Sequence, residues 1–329
     1  MAPHPQRLTV THRAWPLARP HGAKATIDVI VAEISDVESR GRGECVPLQR
    51  FGESLDSVVA VLNAMKGAIT SGLARDTLQS ALPPGAARSA LDCAFWDMDA
   101  KRAYRSVADL AGIGEVTPVV TAFTLAFDTP DQMAEQAAAN RTRPLLRLEL
   151  GGDGDIERVQ EVRRAAPTAR LIVDAQESWT ETQLREFVPA LSDCRVELIE
   201  QPLPADADDT LARATQAIPF CADESCRTRA DLDRLDGKYA AINIRLDKAG
   251  GLTEALALAA EAKRRGLRVM IGGTTGTSLG VAPALLIAHQ AHIVDLDGPL
   301  HLAVDRGARL HYDGSTIHPA DPKLWGGPE

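Results

Sequence analysis

The sequence lacks the features that mark nucleic-acid-binding and membrane-spanning proteins. Its 36 lysines and arginines are interspersed with 45 acidic residues, for a formal net charge of −9. They form no basic stripe with interleaved aromatics, so we expect no nucleic-acid partner. The longest apolar stretches, such as residues 281–288, fall far short of the roughly 20 residues that cross a bilayer. The first ten residues hold two prolines, one arginine and no apolar core, which predicts that no signal peptide is present.

Cysteine is also scarce, with five residues in a chain of 329. The cysteines are odd in number and widely scattered, which argues against a disulfide framework. Cys221 and Cys226 are five positions apart, but no second pair and no histidines stand at zinc-ligand spacing. We therefore expect buried free thiols and a cytoplasmic location. The five residues are Cys45, Cys93, Cys194, Cys221 and Cys226.

Length and composition allow one large domain and one small one. A chain of 329 residues with 45% apolar residues can fill a barrel of about 200 residues and a smaller domain beside it. From residue 117 onward, short β-branched runs recur at intervals of roughly 25 residues, the length of one βα unit. The eight runs are 117–125, 145–151, 171–175, 196–201, 219–225, 240–246, 267–273 and 292–298.

Amphipathic stretches lie between most of these runs and predict helices. Several begin with a good capping residue, such as Thr180 or Thr253. Eight such units in series predict an α/β fold with a closed parallel barrel. The alternative is an open doubly wound sheet of the dehydrogenase type, which is disfavoured because no glycine-rich phosphate turn follows the first strand. The predicted helices are 155–166, 181–191, 208–217, 230–235, 253–265 and 278–291.

The first 110 or so residues lack this regular alternation of strand runs and helices. Residues 25–34 alternate like an antiparallel strand, a turn follows at 41–43, and two helices are predicted at 55–72 and 86–111. We therefore predict three parts. They are an N-terminal α+β capping domain in 1–113, the barrel in 114–300, and a tail in 301–329 that packs back on the cap.

Acidic side chains end three consecutive predicted strands at Asp174, Glu200 and Asp223. The carboxyl ends of barrel strands meet at the face where barrel enzymes place their active sites, and neighbouring strands lie about 4.8 Å apart. Three carboxylates this close repel one another unless a cation lies between them. Because a hard divalent ion with oxygen ligands meets that need, we predict Mg²⁺, or Mn²⁺, on these residues. The alternative is that each acid caps the helix that follows.

Taken with these strands, further segments give the sequence a family resemblance. It resembles the muconate-lactonizing branch of the enolase superfamily and, within that branch, the dipeptide (L-Ala-D/L-Glu) epimerases. The likeness covers nearly the whole chain and implies a (β/α)7β-type modified TIM barrel under an N-terminal α+β cap. The segments are Gly-Glu-Cys-Val-Pro at 43–47, Phe-Gly-Glu-Ser at 51–54, Arg-Ser-Ala-Leu-Asp-Cys-Ala-Phe-Trp-Asp at 88–97, Asn-Ile-Arg-Leu-Asp-Lys-Ala-Gly-Gly-Leu-Thr-Glu-Ala at 243–255 and Asp-Leu-Asp-Gly-Pro at 295–299.

The resemblance implies a reaction at the carbon next to a carboxylate. In the family, the metal binds the substrate carboxylate and stabilises an enediolate, while two lysines on opposite faces remove and return the α-proton. Here Glu149 stands where the first of these lysines is expected, and Arg245 stands where the second is expected. Arg147 replaces a further lysine that helps with the carboxylate and keeps its positive charge. Arginine is a poor base because it does not lose its proton in proteins. Because Glu149 and Arg245 carry opposite charges and would face each other across the site, we expect them to form an ion pair.

Other positions match the family's substrate contacts. Asp295 and Asp297 match an acidic pair that holds the dipeptide ammonium, although a merely polar strand end is the alternative. Lys24 lies in a shortened loop where the family has a basic residue for the glutamate side chain, and a solvated lysine is its alternative. Lys248 is also present in the family beside the catalytic lysine. The eight histidines match no catalytic histidine of other branches, and we interpret them as structural or surface residues.

Two functions follow from these residues. The first is a metal-dependent isomerase of the epimerase type, acting on a dipeptide or an N-substituted amino acid and beginning with proton removal by Glu149. The second is a non-catalytic descendant that binds a metal and a peptide or N-substituted amino acid, which the loss of both lysines favours. The expected partner is therefore a small molecule, not nucleic acid or a membrane, and the sequence leaves a homo-oligomer open.

Overall fold

The computed structural model describes residues 6–21, 24–214 and 217–328 of the chain. Its N-terminal part begins with an antiparallel sheet in the order β1-β2-β3. The strands are β1 (Arg7–His21), β2 (Lys24–Ser35) and β3 (Arg40–Cys45). The helices that follow are α1 (Leu55–Ala64), α2 (Lys66–Thr70), α3 (Arg75–Ala81), α4 (Ala86–Ala103) and α5 (Val107–Ala111).

Local chemistry explains where these elements begin and how closely they pack. Ser54 and Ser57 form a capping box in which each side chain accepts from the other's backbone N–H, at 3.1 and 2.8 Å, and this starts α1. Strand β3 packs directly on α4, and Gly43 makes this close approach possible. A Cβ at this position would stand 2.0 Å from the carbonyl oxygen of Ala90. The two long helices predicted here are broken: Met65 separates α1 from α2, and Tyr104, at φ 51°, ends α4 before α5.

Eight parallel strands of the described chain form the barrel and confirm the predicted modified TIM barrel with its cap. They run in sequence order around the sheet. The first and last strands are joined by Ala122 N–H donating to the Val294 carbonyl at 2.7 Å and Leu296 N–H donating to Thr121 Oγ1 at 2.8 Å. After β4 (Val119–Val120), the barrel strands are β5 (Phe123–Leu125), β6 (Leu145–Glu149), β7 (Arg170–Asp174), β8 (Val196–Glu200), β9 (Phe220–Ala222), β10 (Ala241–Ile244), β11 (Arg268–Gly272) and β12 (Ile293–Asp295).

The connections differ from the prediction in type at three places, one of which is Ala282–Ala284, a 3₁₀ helix that divides the helix predicted at 278–291. The segments Asp209–Arg213 and Arg229–Leu235 are 3₁₀ helices, where α-helices were predicted at 208–217 and 230–235. A helix that was not predicted, α6 (Pro130–Ala139), connects β5 to β6 and begins at Thr129, whose side chain accepts from Gln132 N–H. The remaining helices are α7 (Asp155–Ala165), α8 (Glu181–Asp193), α9 (Leu246–Ala249), α10 (Leu252–Arg264), α11 (Ser278–Val281) and α12 (Leu285–Ala288).

The C-terminal residues return to the N-terminal part. A small sheet of β13 (Tyr312–Asp313), β14 (Thr316–Ile317) and β4 precedes them. Trp325 Nε1 donates to the Cys93 carbonyl at 3.1 Å, and Gly326 N–H donates to Asp97 at 2.8 Å. The tail therefore contacts α4 of the cap.

All five cysteines, which lie within the described residues, are buried free thiols, as expected. Among the helices that the structure describes, none is long and apolar enough to cross a membrane.

Candidate active site

A cavity of about 490 Å³ opens at the carboxyl ends of the barrel strands. Leu17 and Ile27 of the β1–β2 hairpin line it from the cap side, and residues at or beyond the strand ends line it from the barrel side. The barrel lining is Thr124, Ala126, Arg147, Glu149, Asp174, Gln176, Glu177, Glu224, Asn243, Arg245, Gly273, Thr274, Thr275, Asp295, Asp297, Gly298 and His301.

Asp174, Glu200 and Asp223 lie side by side where the sequence predicts them. Asp174 ends β7 and pairs in register with Glu200, which ends β8. Asp223 directly follows β9. The three residues are 6%, 1% and 2% exposed, so each carboxylate needs a partner to offset its lost hydration.

Protein donors bind every oxygen of these three carboxylates. Asp174 accepts from Gln176 N–H at 2.9 Å and from Arg147. Glu200 accepts from Asn243 Nδ2 at 2.5 Å and from Arg147 Nε at 3.0 Å. The Asp223 contacts, to Lys248 Nζ at 2.5 Å and to Arg245 Nη1 at 2.8 Å, complete the set.

This arrangement does not fit the predicted Mg²⁺ or Mn²⁺ centre. In the part of the chain that the structure describes, no group of three His, Cys, Asp or Glu side chains is arranged to hold a metal ion. The physical reason is that a guanidinium, and not open space, lies between Asp174 and Glu200. The expectation that three neighbouring carboxylates need a cation is met by side chains of the chain itself.

Arg147 and Glu149 share one face of β6, two residues apart, so both face the cavity. The Arg147 guanidinium contacts Asp174 and Glu200, and its Nε lies 3.4 Å from Asp295. Burial lowers the pKa of Arg147, but the surrounding carboxylates outweigh it and raise the pKa well above its usual value. Arg147 is therefore a permanent cation here. Glu149, at the end of the strand, is half-buried.

Arg245 and Lys248 lie on the far side of the barrel, since β10 is four strands from β6. Arg245 donates to Asp223, and to Thr274 Oγ1 at 3.3 Å, so its carboxylate partner is Asp223 and not the Glu149 that we expected. Lys248 is 1% exposed and also donates to the carbonyls of Asp223 and Asn243, at 2.5 and 2.8 Å. Burial raises the pKa of Asp223, but Lys248 and Arg245 outweigh it and hold the pKa below its usual value.

The buried Lys248 is expected to matter for stability. Replacing it by methionine leaves two carbonyls and one Asp223 oxygen without their donor, so we expect a loss of about 3–5 kcal/mol in the free energy of unfolding. Urea denaturation followed by circular dichroism measures the change. Lys263, exposed on α10, is the matched control, and its methionine variant is expected to stay within about 0.5 kcal/mol of the wild type. Equal stability of the two variants would contradict this role of Lys248.

Asp295 and Asp297, which match the acidic pair of the family, line the cavity. Asp297 accepts from Thr124 N–H at 2.6 Å and pairs with His301 Nε2 at 2.9 Å. Burial raises the pKa of Asp295 to about 7, against the opposing charge of Arg147. Burial lowers the pKa of His301, but the Asp297 contact outweighs it and raises the pKa above its usual value. The side chain of Lys24 lies outside the described part of the structure.

Sequence reasoning missed several residues of the site. His301 was assigned a structural or surface role, and only its spacing of four from Asp297 could have indicated the pair. Arg50 of the cap pairs with Glu177 of the barrel at the cavity wall, with Nη2 to Oε1 at 2.8 Å, and no motif marked either residue. Burial, and then the adjacent Asp223, raise the pKa of Glu224 to about 8. Glu224 directly follows the predicted ligand Asp223, and no motif marked it.

Comparison with known proteins assigns the chain to a family. The model of the mandelate racemase/muconate lactonizing enzyme N-terminal domain matches residues 7–112, and the enolase C-terminal domain-like model matches residues 132–320. The chain belongs to the mandelate racemase/muconate lactonizing enzyme family. This confirms the predicted membership of the enolase superfamily, and with it the assignment to a family of enzymes.

Relatives from this family align over nearly the full chain. An L-Ala-D/L-Glu epimerase of Escherichia coli (strain K12) is 44% identical over 317 residues, or 94% of this chain and 99% of its own. An N-acetyl-D-glutamate racemase of a Pseudoalteromonas species is 43% identical over 301 residues, or 91% of this chain and 95% of its own. Both relatives are isomerases that act on amino-acid derivatives.

Solved structures show the same family fold. A crystal structure of an enolase family member from Agrobacterium tumefaciens, with homology to dipeptide epimerases, has a TM-score of 0.95 and 44% sequence identity, covering 98% of this chain and 100% of its own. That protein holds sodium and L-Ala-L-Glu. Other dipeptide epimerases of the family are crystallised with Mg²⁺ and a dipeptide. These relatives thus hold a metal ion, whereas the strand-end carboxylates of this chain are contacted by its own cations.

Proposed function

We propose that this enzyme removes the proton next to the carboxylate of a dipeptide or an N-substituted amino acid, with Glu149 as its base. The observation that carries the proposal is the placement of Glu149 and Arg147 on one strand end, facing a cavity of about 490 Å³ at the active face of the barrel. The proposal includes a cytoplasmic location, which five unpaired cysteines support.

The cavity offers a partner for each end of such a ligand. The guanidiniums of Arg147 and Arg245 suit the α-carboxylate, since a guanidinium matches the planar geometry of a carboxylate. Asp295 ends β12, and Asp297 lies two residues after it. Their carboxylates suit an ammonium or an amide N–H of the ligand. The predicted Mg²⁺ takes no part in the proposal, because the side chains that would bind it are engaged with Arg147, Arg245 and Lys248.

The chemistry uses one face of the ligand. The Glu149 carboxylate takes the α-proton, and the electron pair of the broken C–H bond passes into the carboxylate to give an enediolate. Arg147 stabilises the negative charge that develops there, because a fixed cation in a buried site needs no reorganisation during the reaction. Glu149 then returns a proton to the carbon. With Arg245 protonated on the opposite side, the expected outcome is proton exchange with solvent and retention of configuration.

One observation favours a second function, that of a binding protein without turnover. Arg245 occupies the position of the second base and is held by Asp223 and Thr274, and the buried Lys248 beside it is also held by Asp223. A protein that kept the cavity for recognition alone would show the same contacts.

Proton NMR in D₂O separates these two functions. The protein is incubated with L-Ala-D-Glu, L-Ala-L-Glu or N-acetylglutamate, and the glutamyl α-proton signal is followed. Loss of the signal without formation of the other epimer supports the proposed enzyme. Binding of the same compounds without exchange supports the second function. Absence of both binding and exchange would refute each of them for these ligands.

The raised pKa of Asp295 predicts how binding depends on pH. The carboxylate attracts a ligand ammonium only when it is ionised, and its pKa lies near 7. We therefore expect the affinity for L-Ala-L-Glu to fall as the pH drops below 7, by no more than about tenfold per pH unit. Calorimetric titrations at pH 6 and 8 measure this change. N-acetylglutamate, which has no ammonium, is the control, and an equal pH effect on both ligands would contradict this role of Asp295.

A further inference from the structure

Cations of the chain itself contact each of Asp174, Glu200 and Asp223. Three carboxylates face three cations from the chain itself: Arg147, Arg245 and Lys248. Contacts from these cations, and from one amide and one backbone N–H, occupy both oxygens of each carboxylate in the described structure. A divalent ion placed here would have to break contacts already made and would lie next to fixed positive charge.

Arg147 is at the centre of this arrangement. Its guanidinium reaches Asp174 through one terminal nitrogen and Glu200 through Nε, and that Nε also lies 3.4 Å from Asp295. Three carboxylates from three strands thus surround one planar cation. A guanidinium can bridge two carboxylates in fixed directions, whereas a lysine ammonium is a single point of charge on a flexible stem.

One side of the same guanidinium is left for a ligand. Arg147 lines the cavity and is 9% exposed. Its hydrogen bonds within the described structure use Nε and Nη2, while Nη1 makes none. The cation that neutralises the acidic strand ends is therefore also one that a ligand can reach.

We propose that Arg147 replaces the divalent metal of this family, as a built-in cation that neutralises the strand-end carboxylates and binds the carboxylate of the ligand. The Arg147 guanidinium thus always occupies the position next to the carboxylate of the ligand, and binding of the ligand needs no divalent ion. The second part of this statement rests on the proposed function, because it concerns the ligand. The first part does not.

A Mn²⁺ titration of the full-length protein, followed by electron paramagnetic resonance, tests the first part without any organic ligand. We expect the wild type to take up no Mn²⁺ at millimolar concentration. We expect Arg147→Gln to bind Mn²⁺ with at least about tenfold higher affinity than the wild type. The substitution releases the carboxylates of Asp174 and Glu200, and metal affinity follows the charge of the ligand set. Arg170→Gln is the matched control, since Arg170 starts the neighbouring β7 and pairs with the exposed Glu197 at the other end of the barrel.

The outcomes that would overturn the proposal are distinct. Stoichiometric Mn²⁺ binding by the wild type would show that Arg147 leaves the carboxylates to a metal. A folded Arg147→Gln variant without any gain would show that Arg147 is not what excludes it. If that variant does not fold, Arg147→Lys serves instead, because it keeps the charge but cannot bridge two carboxylates, and it is expected to gain Mn²⁺ affinity in the same direction.

A calorimetric titration with L-Ala-L-Glu tests the second part. We expect the same dissociation constant in EDTA and in excess Mg²⁺. A dissociation constant at least about tenfold lower in Mg²⁺ would overturn metal-independent binding. Absence of binding under both conditions would contradict the proposed function and the second part together, and it would leave the Mn²⁺ result on Arg147 as it stands.

Discussion

Replacing Glu149 by glutamine is expected to lower the rate of α-proton exchange by about a hundredfold to ten-thousandfold, which is the usual contribution of a general base. Glutamine keeps the shape of the side chain at the end of β6 but cannot accept the proton. Ligand binding is expected to change little, because the carboxylate of the ligand is assigned to Arg147 and Arg245. The exchange rate is measured by NMR in D₂O, and the dissociation constant by calorimetry.

Glu157→Gln provides the matched control for this variant. Glu157 is exposed on α7 and does not line the cavity, so its replacement removes the same charge without touching the site. A Glu149→Gln variant that exchanges the α-proton as fast as Glu157→Gln would exclude Glu149 as the base. Exchange lost equally in both variants would point to the overall charge of the protein instead.

Replacing Arg245 by lysine is expected to add inversion of configuration to exchange. Lysine at this position lies across the barrel from Glu149, and a buried lysine can be tuned to lose its proton near neutral pH, which arginine cannot. Lys248 continues to hold Asp223 in the variant. We expect the rate of epimer formation to rise by about a hundredfold or more above that of the wild type. Chiral chromatography of L-Ala-D-Glu and L-Ala-L-Glu measures both epimers.

Arg268→Lys is the control for this gain. Arg268 begins β11 at the opposite end of the barrel and is exposed. No inversion in Arg245→Lys, with exchange intact, would show that the second face needs more than one lysine. Inversion already present in the wild type would reveal another acid on that face, and Glu224, with its pKa of about 8, is then the residue to replace.

The barrel was predictable because its strands are buried on both faces and form short apolar runs at a regular spacing. Each of the eight predicted runs overlaps one strand of the barrel. Strand β1 escaped prediction because its exposed positions carry arginine, histidine and threonine, and two prolines interrupt its pattern. Helix α6 escaped because its ten residues hold few large apolar side chains, of which Met133 is buried. The 3₁₀ segments could not be told from α-helices, since both carry the same apolar spacing over one or two turns.

The site was only partly predictable from the sequence. Positions on one strand face follow from alternation, so the proximity of Arg147 and Glu149 was foreseeable. Which carboxylate each cation selects depends on side-chain reach across strands that are far apart in sequence. The choice of Asp223 by Arg245, and the bridge from Asp174 to Glu200 through Arg147, are outcomes of packing that spacing alone does not determine.

The five buried thiols can serve as natural probes of local unfolding in this fold. A thiol reagent reaches a buried cysteine only when the surrounding structure separates, so the rate of modification reports the free energy of that separation. Cys45 and Cys93 lie in the cap, whereas Cys194, Cys221 and Cys226 lie in the barrel. Mass spectrometry of partly modified protein would therefore resolve whether cap and barrel separate as one cooperative unit or in sequence, without an introduced probe.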